Sequence, residues 1–126
     1  MIKKAVPAIY IRVARANDFA LEAQTLSVTQ YAIDNGFMDC MNYCDNGASG
    51  TTLNRPGMNS LMADISDGKI NTVIVKNFSR LSRGLHTLME FHNFVQEHNV
   101  KVLSMHEGNL DDCCSLTWMK EFSKAM

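Results

Sequence analysis

Apolar and polar positions along the chain follow two alternating periods. Residues 5–13 (Ala-Val-Pro-Ala-Ile-Tyr-Ile-Arg-Val) form a nearly continuous apolar run, which predicts a buried strand with Pro7 confined to its start. Residues 19–36 switch to a 3.6-residue repeat. Phe19, Ala23, Leu26, Ile33 and Phe37 share one face, with Gln30 inside the same stripe, and Asn35-Gly36 ends the predicted helix. A short strand is expected at about 40–44, and Asp45 to Thr52 reads as a loop by composition. Pro56 suits the first turn of a second helix, striped by Met58, Leu61, Met62 and Ile65 and stopped at Gly68. Thr72-Val73-Ile74-Val75 is the clearest buried strand, β-branched and uncharged. Residues 84–98 predict a third helix with Leu85, Leu88, Met89, His92 and Val95 on one face, and 100–104 a further strand. A last amphipathic piece, from about 115 onward, carries Leu116, Met119 and Phe122.

Strands alternating with helices of this length imply an α/β fold. The expectation is a three-layer domain with a mostly parallel sheet of four to five strands and helices on both faces. Ligands of such sheets gather beyond the carboxyl ends of the strands, so a site would be built from the loops 14–18, 45–55, 76–83 and 105–112. The domain is expected over residues 1–112, with 113–126 beginning a further helix.

Composition narrows the function classes. The 126 residues suffice for one domain, and 46% apolar with 20% charged residues describes a globular chain. Twelve basic side chains face thirteen acidic ones, a net charge of −1, so contact with nucleic acid would require a local cluster. No apolar run approaches the roughly 20 residues that span a bilayer. The start is basic, but Arg12 interrupts its apolar stretch and no small-residue cleavage site follows; the expected compartment is cytoplasmic. Cys40, Cys44, Cys113 and Cys114 then read as reduced thiols, and most of the nine methionines as packing residues. His86, His92, His98 and His106 lack metal-ligand spacing, so no metal or cofactor is expected; His92 reads as a hydrogen-bonded core residue and the others as exposed. Trp118 is too isolated for a base-stacking platform.

The arginines carry the candidate chemistry. There are five, Arg12, Arg15, Arg55, Arg80 and Arg83, and each lies at or just past a strand end or at a helix start, whereas the lysines are scattered. In the expected fold Arg12, Arg55, Arg80 and Arg83 converge on one rim of the sheet. Guanidinium binds phosphate oxygens bidentately, so such a cluster suits a phosphodiester. Spacing alone fits equally well with ordinary surface arginines or salt-bridge partners of residues such as Asp45. The loop Asp45-x-Gly47-x-Ser49-Gly50, followed by Arg55-Pro56, adds glycines that permit close backbone approach and hydroxyls on Ser49 and Thr51 that can donate to phosphate.

Four blocks in order carry a specific resemblance: Tyr10-Ile-Arg12-Val13, Asp45-x-Gly47-x-Ser49-Gly50, Arg55-Pro56-Gly57, and Val73 to Arg83 with its Arg80-Leu81-Ser82-Arg83 end. Over roughly residues 5–110 the chain resembles the catalytic domain of the serine recombinases (the resolvase/invertase family), nearest in character to the large transposon-type members. The resemblance implies DNA as partner and no cofactor. A serine hydroxyl attacks a phosphodiester, giving a 5′-phosphoseryl link and a free 3′-hydroxyl, while arginines neutralise the transition-state charge. By match to the motifs Arg12, Arg55, Arg80 and Arg83 take that role. Tyr10, Gln24, Asp45 and Ser49 support it, and Arg15 is a surface residue.

The position of the nucleophile is Ala14, whose methyl cannot attack phosphorus, and Arg15, Ala16 and Asn17 offer no hydroxyl in its place. The chain as written is therefore expected not to cleave DNA. Either the alanine is native or it replaces a serine; the departing stretch Ala14-Arg15-Ala16-Asn17 favours the first. The family continues into a long dimerisation helix and a DNA-binding region. Its homo-oligomers, dimer or tetramer, are accordingly not expected of residues 1–126 alone. A non-catalytic module that pairs with an active relative or occupies DNA is the alternative. A receiver-like domain fits poorly, because it needs acidic residues where Arg12 stands.

Overall fold

The strand that organises the molecule is the apolar run at the start of the chain. In the computed structural model, which describes residues 5–49 and 52–113, it forms β1 (Val6–Val13). The chain continues through α1 (Asp18–Asp34), β2 (Met41–Asn46), α2 (Pro56–Ser66), β3 (Ile70–Val75), one 3₁₀ turn (Phe78–Arg80), α3 (Leu85–Glu97), β4 (Lys101–Ser104), β5 (Gly108–Asn109) and α4 (Leu110–Cys113). The sheet order is β2-β1-β3-β4-β5; β1 to β4 run parallel and β5 is antiparallel. This is the expected α/β architecture with five strands. The two-residue β5 was not foreseen because it is too short to leave a periodicity. The predicted last helix, with Leu116, Trp118, Met119 and Phe122, lies outside the described residues.

Alternation along β1 feeds two cores. Ala8 and Tyr10 join Met58, Leu61 and Ile65 of α2 and Leu88, Phe91 and Val95 of α3 on one face. Ile9 and Ile11 join Val28 and Ala32 of α1 and Ile74 of β3 on the other. Helices thus cover both faces, and a parallel strand buried on both sides needs the unbroken apolar run seen in the sequence. His92 is buried in α3, where its Nε2 lies 2.9 Å from Asp111 Oδ1; His98 is half-buried, not exposed as expected, with Nδ1 2.9 Å from the Phe94 carbonyl.

One expectation is overturned. The stripe Phe19, Ala23, Leu26, Gln30 and Ile33 does not pack on the sheet. Phe19 is 83% exposed, Leu26 67% and Ile33 50%, and only Phe37 at its end touches the core. The packed face of α1 is instead Gln24, Val28 and Ala32, flanked by the partly buried Leu21 and Tyr31.

The order of strand addition reverses at β1: α1 leads from β1 outward to β2, and α2 brings the chain back past β1 to β3. The carboxyl ends of β1 and β3 therefore diverge into a crevice, the place where sheets of this order bind ligands.

Candidate functional site

The crevice is built from backbone groups and arginines. Register pairs Arg12 at the end of β1 with Asp45 on β2, and pairing with β3 stops at Ile9. Beyond that point the Gln24 amide takes the place of the missing ladder. Its Nε2 donates to the Arg12 carbonyl at 3.2 Å, and its Oε1 accepts from the Arg12 N–H at 3.3 Å. The loop after β2 folds onto the same strand end, with the Gly47 and Ala48 N–H groups both donating to the Val13 carbonyl, at 2.9 and 3.1 Å. Ala14, the next residue, is exposed, as is Ser49 beside Ala48.

Arg12 and Arg55 are each only 3% exposed. Arg12 donates to the carbonyls of Arg80 (2.9 Å), Ala48 (2.8 Å) and Ser79 (2.6 Å). Arg55 donates to Thr52 O at 2.9 Å, to Tyr10 Oη at 2.7 Å and to the carbonyls of Arg80 and Leu81. Two guanidinium groups thus hold three successive carbonyls, at Ser79, Arg80 and Leu81, and fix the turn that presents Arg80 and Arg83. Arg80 answers with a bond from Nη1 to the Arg12 carbonyl at 3.1 Å, while its buried Nε has no partner. Arg83 is exposed.

Among the described residues Asp45 is the carboxylate inside this cluster, and its oxygens are spent on helix α2 and on Tyr10. The Gly57 and Met58 N–H groups donate to it at 2.7 and 3.0 Å, and the Tyr10 hydroxyl at 2.6 Å. Arg55, the residue at the N-cap position, supplies no side-chain cap, so a carboxylate from the neighbouring strand satisfies the free amides. Close approach requires glycine at residue 57, since a Cβ there would lie 2.2 Å from the Cys44 carbonyl oxygen.

Electrostatics follow from this wiring. Burial, and then the neighbouring Arg55, Arg80 and Arg83, lower the pKa of Arg12; burial lowers that of Arg80. Burial and the bond to Asp45 raise that of Tyr10, which stays a neutral hydroxyl and relays between Asp45 and Arg55. Among the described residues no carboxylate ion pair involves Arg12, Arg55, Arg80 or Arg83. Carbonyl dipoles solvate these cations without cancelling their charge, so the rim is tuned for an anion.

The structure therefore brings Arg12, Arg55, Arg80, Tyr10, Gln24 and Asp45 into one network, with Arg83 near enough to act on Arg12 and with Ala14 and Ser49 at its edge. Arg15 stays exposed. The carbonyls at 79–81 went unpredicted, because every residue type carries the same backbone acceptor. Glu107 was also missed; it accepts the Phe78 N–H at 2.8 Å and the Ser104 hydroxyl at 2.8 Å, bracing the same turn from the β4–β5 connection. Its only signal was an acid in a loop past a strand end.

Comparison with known proteins agrees with this fold. The family model described as "Resolvase, N terminal domain" matches residues 7–122. A Bacillus subtilis (strain 168) protein carrying the name of a DNA recombinase is 32% identical over 97 residues, which are 76% of this chain and 19% of that protein. The chain thus spans about a fifth of the length of that relative. The crystal structure of the N-terminal catalytic domain of TP901-1 integrase superposes with a TM-score of 0.79 at 28% identity, covering 97% of this chain and 93% of the other. That of a resolvase family site-specific recombinase from Streptococcus pneumoniae gives 0.75 at 25% identity, covering 97% and 85%.

Proposed function

We propose, from the premise that the chain belongs to the resolvase N-terminal domain family, that its arginine rim holds a phosphodiester of DNA and, with Ala14 in the nucleophile's place, forms no covalent link to it. The observation that carries this reading is the rim itself, where the guanidinium groups of Arg12, Arg55, Arg80 and Arg83 gather without a pairing carboxylate beside the exposed Ala14.

The roles divide by accessibility. Arg83, exposed, and Arg80, half-buried, contact the phosphate oxygens. Arg12 and Arg55 position them by holding the turn, and supply charge from beneath. Asp45 and Tyr10 hold Arg55 and the start of α2, Gln24 fixes the strand end that leads to residue 14, and Ser49 borders the phosphate from the β2–α2 loop. A serine at 14 would place its oxygen at the rim. Attack on phosphorus would form the O–P bond, break the bond to the 3′ oxygen, and pass the serine proton to that leaving oxygen. The arginines would stabilise the pentacoordinate state. The names of the Bacillus subtilis relative and of TP901-1 integrase support DNA recombination as the setting, and DNA as substrate supports a cytoplasmic location.

The test is Ala14→Ser in the full-length protein, incubated with supercoiled plasmid carrying its recombination site. A protein–DNA adduct that survives denaturing electrophoresis is expected from the serine variant and not from the chain with Ala14. Absence of any adduct with Arg80 and Arg83 intact removes this reading of position 14.

A further inference from the structure

The face of α1 that turned out not to pack on the sheet has the geometry of a helix-pairing seam. Phe19, Ala23, Leu26, Gln30 and Ile33 are spaced 4-3-4-3, the a/d repeat with which two helices interlock. With Phe19, Leu26 and Ile33 as d positions, Ala23 and Gln30 are the a positions. The apolar surface continues onto Met38, 64% exposed just past the helix. A stripe from Phe19 to Ile33 runs about 21 Å, four turns of a partner helix. Clefts lie on both sides. One, of about 170 Å³, runs along Thr29, Ile33, Phe37 and Met38; the other lies along Leu26, Gln30, Tyr31 and Met105. A ridge between two grooves is the surface onto which a helix packs, and contiguous exposed apolar area of this kind marks an interaction site.

Charge selects the occupant. Between Arg15 and Arg55 the chain has no Lys, Arg or His, but it has Asp18, Glu22, Asp34, Asp39 and Asp45. Of these only Asp45 is buried. Glu22 falls at a g position and Asp34 at an e position, the sites that set partner choice in paired helices. DNA and anionic lipid are repelled by such a face. A second copy would bring the same Glu22 and Asp34 carboxylates to the same seam. We propose that this face of α1 is a docking surface for a partner helix whose apolar stripe is flanked by Lys or Arg. It lies on the opposite side of the sheet from α2 and α3, so a helix seated there leaves the arginine rim open.

The test uses the full chain and two synthetic 21-residue helical peptides, both with Leu at a and d, one with Lys and one with Glu at e and g. In ¹H–¹⁵N spectra the Lys peptide is expected to shift the amides of 19, 26, 30 and 33, and the Glu peptide not to. Leu26→Gln with Ile33→Gln is expected to weaken the Lys peptide at least about tenfold, as for loss of central interface residues. Both side chains are exposed, so circular dichroism should remain native. Charge reversal, Glu22→Lys with Asp34→Lys, is expected to exchange the preference to the Glu peptide, a result that a nonspecific sticky surface cannot give. The proposal is overturned by equal binding of both peptides, by binding that the double Gln variant leaves unchanged, or by a dimer in sedimentation equilibrium that Leu26→Gln dissociates.

Discussion

Tyr10 is where the charges of the crevice meet, since its hydroxyl donates to Asp45 and accepts from Arg55. Tyr10→Phe leaves a buried carboxylate and a buried guanidinium one partner short. The expected cost is about 1–3 kcal/mol in urea unfolding, the penalty of an unmade buried bond. The same residue carries a pH signature. Its folded pKa is raised, first by burial and then by the bond to Asp45, so the folded state refuses to ionise while the unfolded tyrosine ionises near the ordinary value of about 10. Its contribution is fully present below about pH 10 and is lost above it as pH climbs towards the raised folded value, by about 1.4 kcal/mol per pH unit. Tyr43 is raised for the same reasons, burial and a bond to Asp64, and adds to the effect. Unfolding free energies measured between pH 9 and about 11 should fall, and Tyr10→Phe should flatten part of that fall; equal slopes in both chains contradict the assigned role. Tyr10 and Asp45 could be named from the motif, but their wiring could not, because a motif fixes which residues are present and not which atoms they satisfy.

At the scale of the element, α1 and α2 show two ways in which pattern and packing relate. For α2 they agree: Met58, Leu61 and Ile65 are the stripe and they are buried. The carboxyl of Asp45 and the bare Cα of Gly57 then decide how closely α2 meets β2. Gly57→Ala must push the helix off the strand, and a loss of about 2–4 kcal/mol is expected, in the range of overpacking plus a weakened cap. For α1 pattern and packing disagree. Phe19, Leu26 and Ile33 face outward, while Val28 and Ala32, with Leu21 and Tyr31 at their sides, face the sheet. Period alone reports that an apolar stripe exists, not what covers it, which is why the element was legible and its orientation was not. Paired substitutions decide the matter. Val28→Ala should cost about 1–3 kcal/mol through lost burial and a cavity, whereas Leu26→Ala, on the exposed stripe, should stay within about 0.5 kcal/mol. Reversal of that ranking in chemical denaturation would return Leu26 to the core. The mostly parallel character of the sheet was legible for a related reason. β-branched runs separated by helices leave few alternatives, and only β5, two residues held by Ser104 and Leu103, escaped notice.

Across the whole molecule a net charge of −1 conceals a segregation. Cations from three strand ends collect in one crevice, while the cation-free stretch between Arg15 and Arg55 covers the outside of α1 with carboxylates. On the proposed function, a phosphate backbone approaching the domain would be drawn to the rim and repelled from α1. This makes a prediction that neither net charge nor fold class could make. Affinity for a short duplex should fall as NaCl rises, with a log–log slope near −0.9 for each phosphate neutralised. Arg83→Gln should reduce that slope by about one and weaken binding alike on unrelated sequences, because a phosphate contact carries no base information. Arg55→Gln should act differently. It releases the carbonyls of Arg80 and Leu81, so the turn loosens and stability falls together with affinity, and a change in the urea midpoint separates it from Arg83→Gln. Glu22→Lys, exposed on α1 and outside the arginine network, should alter duplex affinity less than Arg83→Gln does. If Glu22→Lys instead strengthens DNA binding as much as Arg83→Gln weakens it, the duplex is lying along α1 and the rim is not its seat.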